Sequence, residues 1–444
     1  DLFALVWSPD NDTPAALNAS GWAGSKVSAQ GLRDFGHTEI PNDHPASVSI
    51  PGAVAGWYAL AERFGTMQVG ALLDHAVSHA IDGFPASDEY SRATNTKRTE
   101  LSSSAAGREL LGDHDEMTRG SRVRRPMLAS TLERIALHGL PGFYEGPVAD
   151  DISAATGGIV TTEDLAGYQP DWVDPLGKQV LGGVGWTIGP NSQGYLTLAT
   201  LRIFEMVAND FDPADPESHH QLIDAYRAVA QERDDVVTDA RFAPMTGAEL
   251  LADERLATIA EGIGAAAGRY SQPSPKPGGT AFLCVVDSEG MGVSLIQSNF
   301  HGLGSLIGTT RSGFLLHNRG AGACLEAGHP NELAPRKRPL HTLSPTIWSV
   351  DGALRMVLGT RGGHQQPQLL AQVAAHVFTG DEPWIAQARP RWSTETFAPG
   401  TASKIRLESA FDSTIVADLE SRGHEIELVD GYTGGWGPIS MIRV

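Results

Sequence analysis

The sequence predicts an α+β fold in which helices precede and follow a group of antiparallel strands. Apolar residues repeat at helical spacing along much of residues 51–264, whereas short strand-like runs joined by turns dominate from residue 280. A segment rich in proline and glycine, residues 269–279, separates the two patterns. Antiparallel ribbons with helices on either side in the sequence are typical of a layered α+β architecture.

The part before the proline-rich segment predicts mainly helices. It opens with an apolar, strand-like run at residues 2–7. Trp57, Leu60 and Phe64 lie at helical spacing after a Pro-Gly turn, so they predict a helix with one face toward the core. Further helices are predicted near residues 70–82, 128–138, 147–155, 194–208, 217–240 and 247–264, and a strand pair near residues 177–189.

The part after the proline-rich segment predicts strands first and helices later. Residues 281–287 and 292–298 are strand-like, and the turn residues Asp287 and Gly290 between them predict a hairpin. More elements are predicted at residues 313–317, 344–350 and 354–359 as strands, and at residues 364–378 and 413–422 as helices.

Thr280 follows directly on the proline-rich segment. Three prolines and a glycine pair cannot continue a helix or a central strand, so residues 269–279 predict a linker. If the bond between Gly279 and Thr280 were cut, Thr280 would carry a hydroxyl and a free α-amine. The amine has an ordinary pKa of about 7.7 to 8.0, so it could act as the base that activates the hydroxyl. An ordinary strand start is the alternative.

Composition and charge exclude several classes of partner. The net charge is −20 and the pI about 5.1, which opposes binding to nucleic acid or to anionic membranes. No apolar run reaches the roughly 18–20 residues of a membrane helix. We expect a soluble protein and favour the cytoplasm, although the two cysteines, expected to be buried, do not reveal the compartment. The chain opens at Asp1 without Met, so we expect that a segment precedes it.

Metalloenzyme and serine-hydrolase sites have little support in the sequence. His219-His220 and His424-Glu425 have no partner in a His-x-x-x-His spacing, so no metal site is expected. No Gly-x-Ser-x-Gly elbow of a serine hydrolase occurs either.

A series of motifs gives Thr280 its context. They continue after the hairpin of residues 280–298 as Gly313-Phe314-Leu315-Leu316-His317-Asn318, Asn331-Glu332-Leu333-Ala334-Pro335-Arg336-Lys337-Arg338-Pro339-Leu340, Leu343-Ser344-Pro345-Thr346 and Gly359-Thr360-Arg361-Gly362-Gly363. Weaker motifs lie upstream at residues 51–57, 63–66, 143–146, 157–158 and 162–168. In this order and spacing the chain resembles the gamma-glutamyltranspeptidase family of N-terminal-nucleophile hydrolases along nearly its whole length. Residues 318–320, 328–331 and 341–343 resemble the branch with cephalosporin acylases and oxamate amidohydrolases.

The resemblance implies a four-layer αββα sandwich made from a precursor that cleaves itself between Gly279 and Thr280. Residues 1–279 would be a large-subunit portion, incomplete at its N-terminus relative to the family, and residues 280–444 the small subunit. The expected partners are a small-molecule amide substrate and, after cleavage, the two subunits as a heterodimer. No cofactor is implied, because protein groups supply the nucleophile, the base and the oxyanion donors.

The resemblance also assigns catalytic roles to four residues. Thr280 would be the nucleophile and, through its amine, the base. Ser298 stands where the family has a second hydroxyl residue near the nucleophile. Gly362 and Gly363 stand at the oxyanion position, where backbone N–H groups stabilise a developing negative charge. The alternatives are a solvent-facing strand serine for Ser298 and a simple tight turn for the two glycines.

The substrate-binding positions depart from the family pattern. Trp22 stands where the family has an arginine for the substrate α-carboxylate, and the stretch from Asn318 and Arg319 to residue 323 contains no acid to bind an α-amine. His341 and Thr342 replace two adjacent serines. A site with a guanidinium and no carboxylate suits a carboxylate without a neighbouring ammonium group.

These departures favour hydrolysis of an amide of a carboxy-acyl group, such as a glutaryl or oxamate-like amide. Two functional alternatives stay open: true gamma-glutamyl hydrolysis or transfer, as from glutathione, and a non-cleaving, non-catalytic member of the family. Among the residues, Arg319 could instead form a structural ion pair, His341 could be a satisfied core histidine, and Trp22 could be a wall of the pocket.

Overall fold

The computed structural model describes residues 1–208, 210–270, 279–394, 404–431 and 436–444. The chain divides into two compact units. The first consists of Asp1–Leu2, Ala19–Asp171 and Asn299–Pro339, and the second of Phe3–Asn18, Trp172–Ser298 and Leu340–Val444. Most of the predicted linker, residues 271–278, lies outside the described residues.

The strands within the described residues are mostly short. They are β1 (Leu2–Trp7), β2 (Ala15–Ala19), β3 (Phe84–Pro85), β4 (Arg122–Val123), β5 (Asp171–Val173), β6 (Leu176–Val180), β7 (Gly183–Thr187), β8 (Gly279–Val286), β9 (Gly292–Phe300), β10 (Thr346–Val350), β11 (Ala353–Thr360), β12 (Trp392–Ser393), β13 (Ile405–Glu408), β14 (Ile426–Val429) and β15 (Ile439–Arg443).

The α-helices are concentrated between residues 29 and 260, and within the described residues none is long and apolar enough to span a bilayer. They are α1 (Ala29–Asp34), α2 (Ala53–Phe64), α3 (Val69–Asp82), α4 (Asp88–Thr96), α5 (Arg98–Ser102), α6 (Ala105–Leu111), α7 (Pro126–His138), α8 (Pro141–Tyr144), α9 (Gly146–Ala155), α10 (Thr162–Ala166), α11 (Tyr195–Val207), α12 (Pro216–Ala230), α13 (Arg233–Val236), α14 (Gly247–Leu250), α15 (Asp253–Ala260), α16 (Gln366–Phe378), α17 (Pro383–Ala388) and α18 (Ser413–Ser421).

Most of the predicted elements are confirmed within a few residues. The strand predicted at residues 2–7 is β1, the hairpin is β8 and β9, and the helix predicted at 70–82 is α3. These elements have strong local signals: a continuous apolar run, two strand-like runs joined by turn residues, or an apolar stripe at helical spacing.

Two predicted helices are shorter than expected. The helix predicted at 217–240 ends at Ala230, where the chain turns so that the buried side chain of Arg233 can donate to Gln193. The helix predicted at 247–264 is broken by the extended backbone of Ala252. A new helix starts at Asp253, whose carboxylate forms ion pairs with Lys178 on β6 and Arg202 on α11. Tertiary contacts therefore override local helical propensity at both places.

The prediction of a strand at residues 313–317 was wrong. Extended backbone there exchanges hydrogen bonds with residues 305–309, but only the isolated bridge between Gly308 and Leu315 results. Gly313 and Leu306 have φ values of 73° and 62°, and such left-handed backbone interrupts a regular ladder.

Two five-stranded sheets form the framework that carries the hairpin. Their strand orders are β5-β2-β1-β9-β8 and β15-β11-β10-β7-β6. In the second sheet, antiparallel pairing places Thr346 opposite Leu358 and Thr360 opposite Ile439.

Two apolar cores lie among the described residues of the second unit. One contains Phe3, Leu5, Ile296 and Val357 and joins the two sheets. The other joins the second sheet to α11, α12 and α16, and Trp348 and Leu358 point into it. Because successive side chains of a strand point to opposite faces, Val357 and Leu358 belong to different cores. The second sheet is therefore covered on both faces.

The first unit contains α1–α10 and has its own apolar cores. Asp151 on α9 is buried and accepts five hydrogen bonds from the loop at residues 310–312. The donors are the backbone N–H groups of Thr310, Arg311 and Ser312 and the hydroxyls of Thr310 and Ser312, at 2.7–3.0 Å. One carboxylate thus fixes a whole loop to a helix.

We expect Asp151→Asn to destabilise the protein by about 3 kcal/mol, because the amide replaces an acceptor by a donor that faces other donors, and a hydrogen bond to a charged group contributes about 1.5–3 kcal/mol. Burial raises the pKa of Asp151, but the hydrogen bonds from Thr310, Arg311 and Ser312 outweigh burial and lower it to about 2. The carboxylate therefore stabilises the fold above its unfolded pKa of about 3.9, and this contribution is lost as pH falls toward 2.

Urea unfolding of the wild type and the variant at neutral pH and near pH 2.5 tests this prediction. The difference in unfolding free energy should shrink at the lower pH, and the exposed neighbour Asp150, as Asp150→Asn, serves as the control. An equal difference at both pH values would show that the charge of Asp151 is not the cause.

Candidate active site

Thr280 is the second residue of β8, which is an edge strand of its sheet. Side chains along β8 alternate between solvent and the core that joins the two sheets. Phe282 and Cys284 pack against that core, whereas Leu283 and Val285 are 46% and 51% exposed. Thr280 shares the face of Phe282 and Cys284, so its hydroxyl points toward the interior side of the sheet.

Ser298 on β9 joins the hydroxyl of Thr280 to the carbonyl of Gly279. Its Oγ donates to the Gly279 carbonyl oxygen at 2.7 Å and lies 3.0 Å from Oγ1 of Thr280. A serine hydroxyl has one proton, so while Ser298 donates to Gly279, the proton between the two hydroxyls comes from Thr280. Ser298 is 7% exposed, so the alternative of a solvent-facing strand serine is wrong.

The first residues of β8 lie over the end of β11. A Cβ on Gly292, at the start of β9, would lie 2.6 Å from Leu354, and a Cβ on Gly359 would lie 2.1 Å from the ring of Phe282. The turn end of the hairpin therefore lies near Leu354, and Phe282, closer to the start of β8, lies near Gly359 at the end of β11. Thr280 precedes Phe282 by two residues on the same face of β8, so it lies toward the turn that follows β11.

That turn contains the two glycines predicted to stabilise an oxyanion. Gly362 and Gly363 have φ values of 128° and 60°, which residues other than glycine rarely adopt. A 3₁₀ turn, Gly363–Gln365, follows and leads into α16. Within the described residues, neither glycine N–H has a hydrogen-bond acceptor. Helix-start N–H groups carry partial positive charge, so both groups are suited to an anionic oxygen.

Gln193 holds the glycine turn in place. Its Nε2 donates to the carbonyl oxygens of Gly363 at 3.0 Å and Thr342 at 3.1 Å, and its Oε1 accepts from Arg233 at 3.2 Å. All three side chains of Gln193, Thr342 and Arg233 are buried. The backbone carbonyl of Thr342 is therefore linked to the glycine turn by the side-chain amide of Gln193.

His341 lies beside Thr342 in the same buried segment. Its backbone N–H donates to Asn191, its carbonyl accepts from Gln193, and its ring lies 4.7 Å from that of Phe3. The Nδ1 atom accepts from the N–H of Leu343 at 3.3 Å. These described contacts are those of a core histidine that holds residues 341–343 against the start of α11.

Arg319 and Asn318 lie in the first unit, at the start of the 3₁₀ turn Arg319–Gly322. The guanidinium carbon of Arg319 lies 3.2 Å from the ring centre of Phe300, and the residue is 2% exposed. Asn318 accepts from the N–H of His301 and donates to the carbonyl of Gly304. Asn318 thus fixes the backbone that carries the arginine.

Trp22 also lies in the first unit and packs against its larger core. Its ring centre lies 5.0 Å from that of Tyr168 and 5.5 Å from the guanidinium of Arg338. The indole N–H is buried and has no acceptor within the described residues. Trp22 therefore combines an apolar wall with one unused donor.

Sequence reasoning missed Gln193 and Arg233 as supports of the glycine turn. The only signal for Gln193 was a polar run, residues 191–193, between an apolar strand and an apolar helix. It also missed that His220 and His424, 204 residues apart, share a hydrogen bond. Helical spacing cannot reveal a contact between two residues so distant in sequence.

Gly359→Ala should disturb the start of β8, because its methyl group would displace the ring of Phe282. Overpacking of this kind costs about 1–3 kcal/mol, and we expect slower cleavage of the chain at Gly279 as well. Unfolding free energy and the time course of chain cleavage by gel electrophoresis measure both effects. Gly431→Ala is the control, since a Cβ there meets none of the described atoms within 4 Å. Equal behaviour of the two variants would contradict the prediction.

Known proteins resemble this chain along its whole length. The gamma-glutamyltranspeptidase family model matches residues 1–443. Oxamate amidohydrolase proenzyme of Klebsiella pneumoniae is 32% identical over 454 aligned positions, which cover 100% of this chain and 85% of that protein. A glutathione hydrolase-like proenzyme of Bacillus subtilis is 30% identical with the same coverage. The crystal structure of cephalosporin acylase from Bacillus halodurans has a TM-score of 0.91 and 29% identity, covering 100% of this chain and 82% of that one.

These matches confirm the resemblance inferred from the motifs, including its branch. The α+β class and the N-terminal-nucleophile hydrolase fold are confirmed by the same structural likeness. The relatives are named as amidohydrolases and glutathione hydrolases, and several as proenzymes. The chain therefore belongs to the gamma-glutamyltranspeptidase family and is an amidohydrolase of that family.

Proposed function

We propose that this amidohydrolase cleaves itself between Gly279 and Thr280 and then uses Thr280 to hydrolyse the amide of a carboxy-acyl group. One observation carries the proposal: a single side chain, Ser298, contacts both the attacking hydroxyl and the carbonyl oxygen of the bond to be cut. The products would be residues 1–279, as the large-subunit portion, and residues 280–444, held together as a heterodimer.

Self-cleavage follows from this geometry as an acyl shift from nitrogen to oxygen. Oγ1 of Thr280 attacks the carbonyl carbon of Gly279 while its proton passes toward Ser298, whose own proton is donated to the carbonyl oxygen. The bond from the carbonyl carbon to the nitrogen of Thr280 then breaks, and the proton on the former carbonyl oxygen passes to this nitrogen as the carbonyl re-forms, which leaves an ester and a free α-amine. Water hydrolyses the ester, giving a carboxylate on Gly279 and the free hydroxyl of Thr280.

Turnover of substrate repeats this chemistry on an external amide. The neutral α-amine of Thr280 accepts the hydroxyl proton as Oγ1 attacks the substrate carbonyl carbon. The proton passes to the leaving amine when the amide bond breaks, and an acyl ester on Thr280 remains. A water molecule, activated by the same α-amine, hydrolyses the ester and regenerates the enzyme. We assign the stabilisation of the anionic oxygen in both steps to the N–H groups of Gly362 and Gly363.

The substrate class follows from the charges near the predicted acyl-binding residues. Arg319 offers a buried guanidinium, and residues 318–323 contain no carboxylate. The N–H of Trp22 adds a neutral donor where an arginine would bind an α-carboxylate in the family. This combination favours one carboxylate and disfavours an ammonium group beside it. The name of the Klebsiella relative, oxamate amidohydrolase, agrees with an acyl group of that kind.

Side-by-side assays of oxamate, a glutaryl anilide and a gamma-glutamyl anilide test this assignment. Each missing charge-assisted contact corresponds to about 1.5–3 kcal/mol, so we expect kcat/KM for the gamma-glutamyl compound to be lower by about tenfold or more. Arg319→Gln should raise KM for the preferred substrate by about tenfold or more with a smaller change in kcat. Arg319→Lys, which keeps the charge, should recover part of the loss.

Gamma-glutamyl hydrolysis is the second candidate, favoured by the glutathione hydrolase-like relative of Bacillus subtilis. Efficient turnover of the gamma-glutamyl anilide, together with little effect of Arg319→Gln on the oxamate and glutaryl compounds, would favour it. A chain that neither cleaves nor hydrolyses any of the three would support the non-catalytic alternative.

A further inference from the structure

His220, Asp224 and His424 form a buried cluster in the second unit. One ligand-capable atom from each of the three lies within 4.8 Å of the others. His220 and Asp224 lie one turn apart on α12, so they project from the same face of the helix. His424 follows the C-terminus of α18, where its N–H donates to the carbonyl of Leu419. The three residues are 0%, 0% and 4% exposed.

Hydrogen bonds fix which ring nitrogens are available. Nε2 of His220 lies 2.8 Å from the carbonyl oxygen of Gly264, which can only accept, so this nitrogen carries the proton. Nδ1 of His220 therefore has a free electron pair, and it faces Nε2 of His424 at 2.9 Å. A metal-ligating histidine characteristically donates its other N–H to a backbone carbonyl or a carboxylate, and His220 already has that arrangement.

Two buried atoms of the cluster lack a hydrogen-bond partner within the described residues. They are Oδ1 of Asp224 and Nδ1 of His424. The other oxygen of Asp224 accepts from the N–H of Gly268 at 2.7 Å, and Arg227 places a guanidinium nitrogen 3.5 Å from Oδ1 without a hydrogen bond. A buried polar atom without a hydrogen-bond partner is costly, and a cation would satisfy Oδ1.

We propose that this cluster binds one divalent transition-metal ion, with Zn²⁺ as the best match to two imidazole nitrogens and one carboxylate oxygen. The ligand atoms would be Nδ1 of His220, Nε2 of His424 and Oδ1 of Asp224, and a water molecule would complete a tetrahedron. His424 moves its proton from Nε2 to Nδ1 on binding, so both rings stay neutral. Zn–N bonds of about 2.0–2.1 Å require the two nitrogens to separate by a few tenths of an ångström.

The ion would join three parts of the second unit. Two ligands lie on α12 and one follows α18, while Gly264 and Gly268 of the exposed segment after α15 bind the ligating residues. The role assigned to the metal is structural, since the cluster includes neither Thr280 nor Ser298. The positive charge of Arg227 opposes the ion and weakens the site, so Arg227→Gln should bind it more tightly.

Equilibrium dialysis of chelator-treated protein against Zn²⁺, with the bound metal measured by mass spectrometry, tests the proposal. We expect about one Zn²⁺ per chain in the wild type and in the control His219→Gln, and little or none in His220→Gln and His424→Gln. His219 is a matched control because it is buried on the same helix and its Nε2 lies 3.1 Å from the carbonyl of Pro213, outside the cluster.

Thermal unfolding guards against a variant that fails to fold. Zn²⁺ should raise the melting temperature of the wild type and of His219→Gln by about 3 °C or more. It should leave the melting temperatures of folded His424→Gln and Asp224→Asn unchanged. Co²⁺ in place of Zn²⁺ should give visible ligand-field bands that disappear in His424→Gln. No bound Zn²⁺ in the wild type at saturation, or equal binding in His424→Gln, would overturn the proposal.

Discussion

Thr280→Ala is expected to remain one chain of 47.1 kDa and to lose amide hydrolysis. Alanine has no hydroxyl, so the carbonyl of Gly279 cannot be attacked and no α-amine is released at residue 280. Replacing a covalent nucleophile typically reduces the rate by several orders of magnitude, and we expect at least about a 10³-fold loss. Intact-mass measurement and a hydrolysis assay on the same sample report both effects.

Thr280→Ser is the matched control for this prediction. Serine keeps the hydroxyl at the same position and loses only the methyl group, so we expect slower but detectable cleavage into chains of residues 1–279 and 280–444. Cleavage of Thr280→Ala at the same bond would show that another group attacks it. A wild-type chain that stays whole at 47.1 kDa under all conditions would contradict self-cleavage altogether.

Ser298→Ala is expected to slow both self-cleavage and turnover by about 10²-fold while leaving the fold intact. The substitution removes the donor to Gly279 at 2.7 Å and the acceptor for Thr280 at 3.0 Å, which are the proton-transfer contacts of the proposed self-cleavage. In turnover it removes the hydroxyl that lies 3.0 Å from the attacking oxygen of Thr280 and can donate to it once Gly279 has left. Positioned proton transfer typically contributes about 10² to 10⁴ in rate. Time courses of chain cleavage followed by mass spectrometry give the first rate, and kcat of the cleaved enzyme gives the second.

Ser298→Thr should recover most of both rates, since it restores a hydroxyl on the same strand. If Ser298→Ala instead slows both reactions because it destabilises the fold, its melting temperature falls, and Ser298→Thr does not restore the two rates. A Ser298→Ala variant with normal melting and normal cleavage would exclude the proton path from Thr280 through Ser298 to Gly279.

Local sequence patterns predicted the framework of the fold well where one pattern was strong. The apolar runs of β8 and β9, separated by turn residues, and the apolar stripe of α2 gave the right element at nearly the right bounds. Prediction was poorer where packing overrides propensity, as after Ala230 and around Ala252. At residues 313–317 the apolar run was real, but left-handed backbone at Gly313 prevented a strand.

Some residues of the candidate site could be predicted from the sequence, and others could not. Thr280, Gly362 and Gly363 could be predicted from sequence because they stand in motifs whose order and spacing resemble those of the family. Ser298 could be named but not oriented, since an isolated strand serine can face either side of a sheet. Only its 7% exposure and its hydrogen bonds showed which side it takes.

The sequence by itself determined the fold class, the family and the position of the candidate nucleophile. These depend on periodicity and on motifs in a fixed order, and both are properties of the linear chain. The tertiary structure alone decided that Ser298 contacts both Thr280 and Gly279, that Gln193 supports the glycine turn, and that His220 and His424 meet. The contacts of Ser298 form when β8 and β9 pair in one register. The contacts of Gln193 and of the two histidines join residues that are far apart in sequence, and they form only when helices and sheets pack, because burial of the apolar cores brings those residues together.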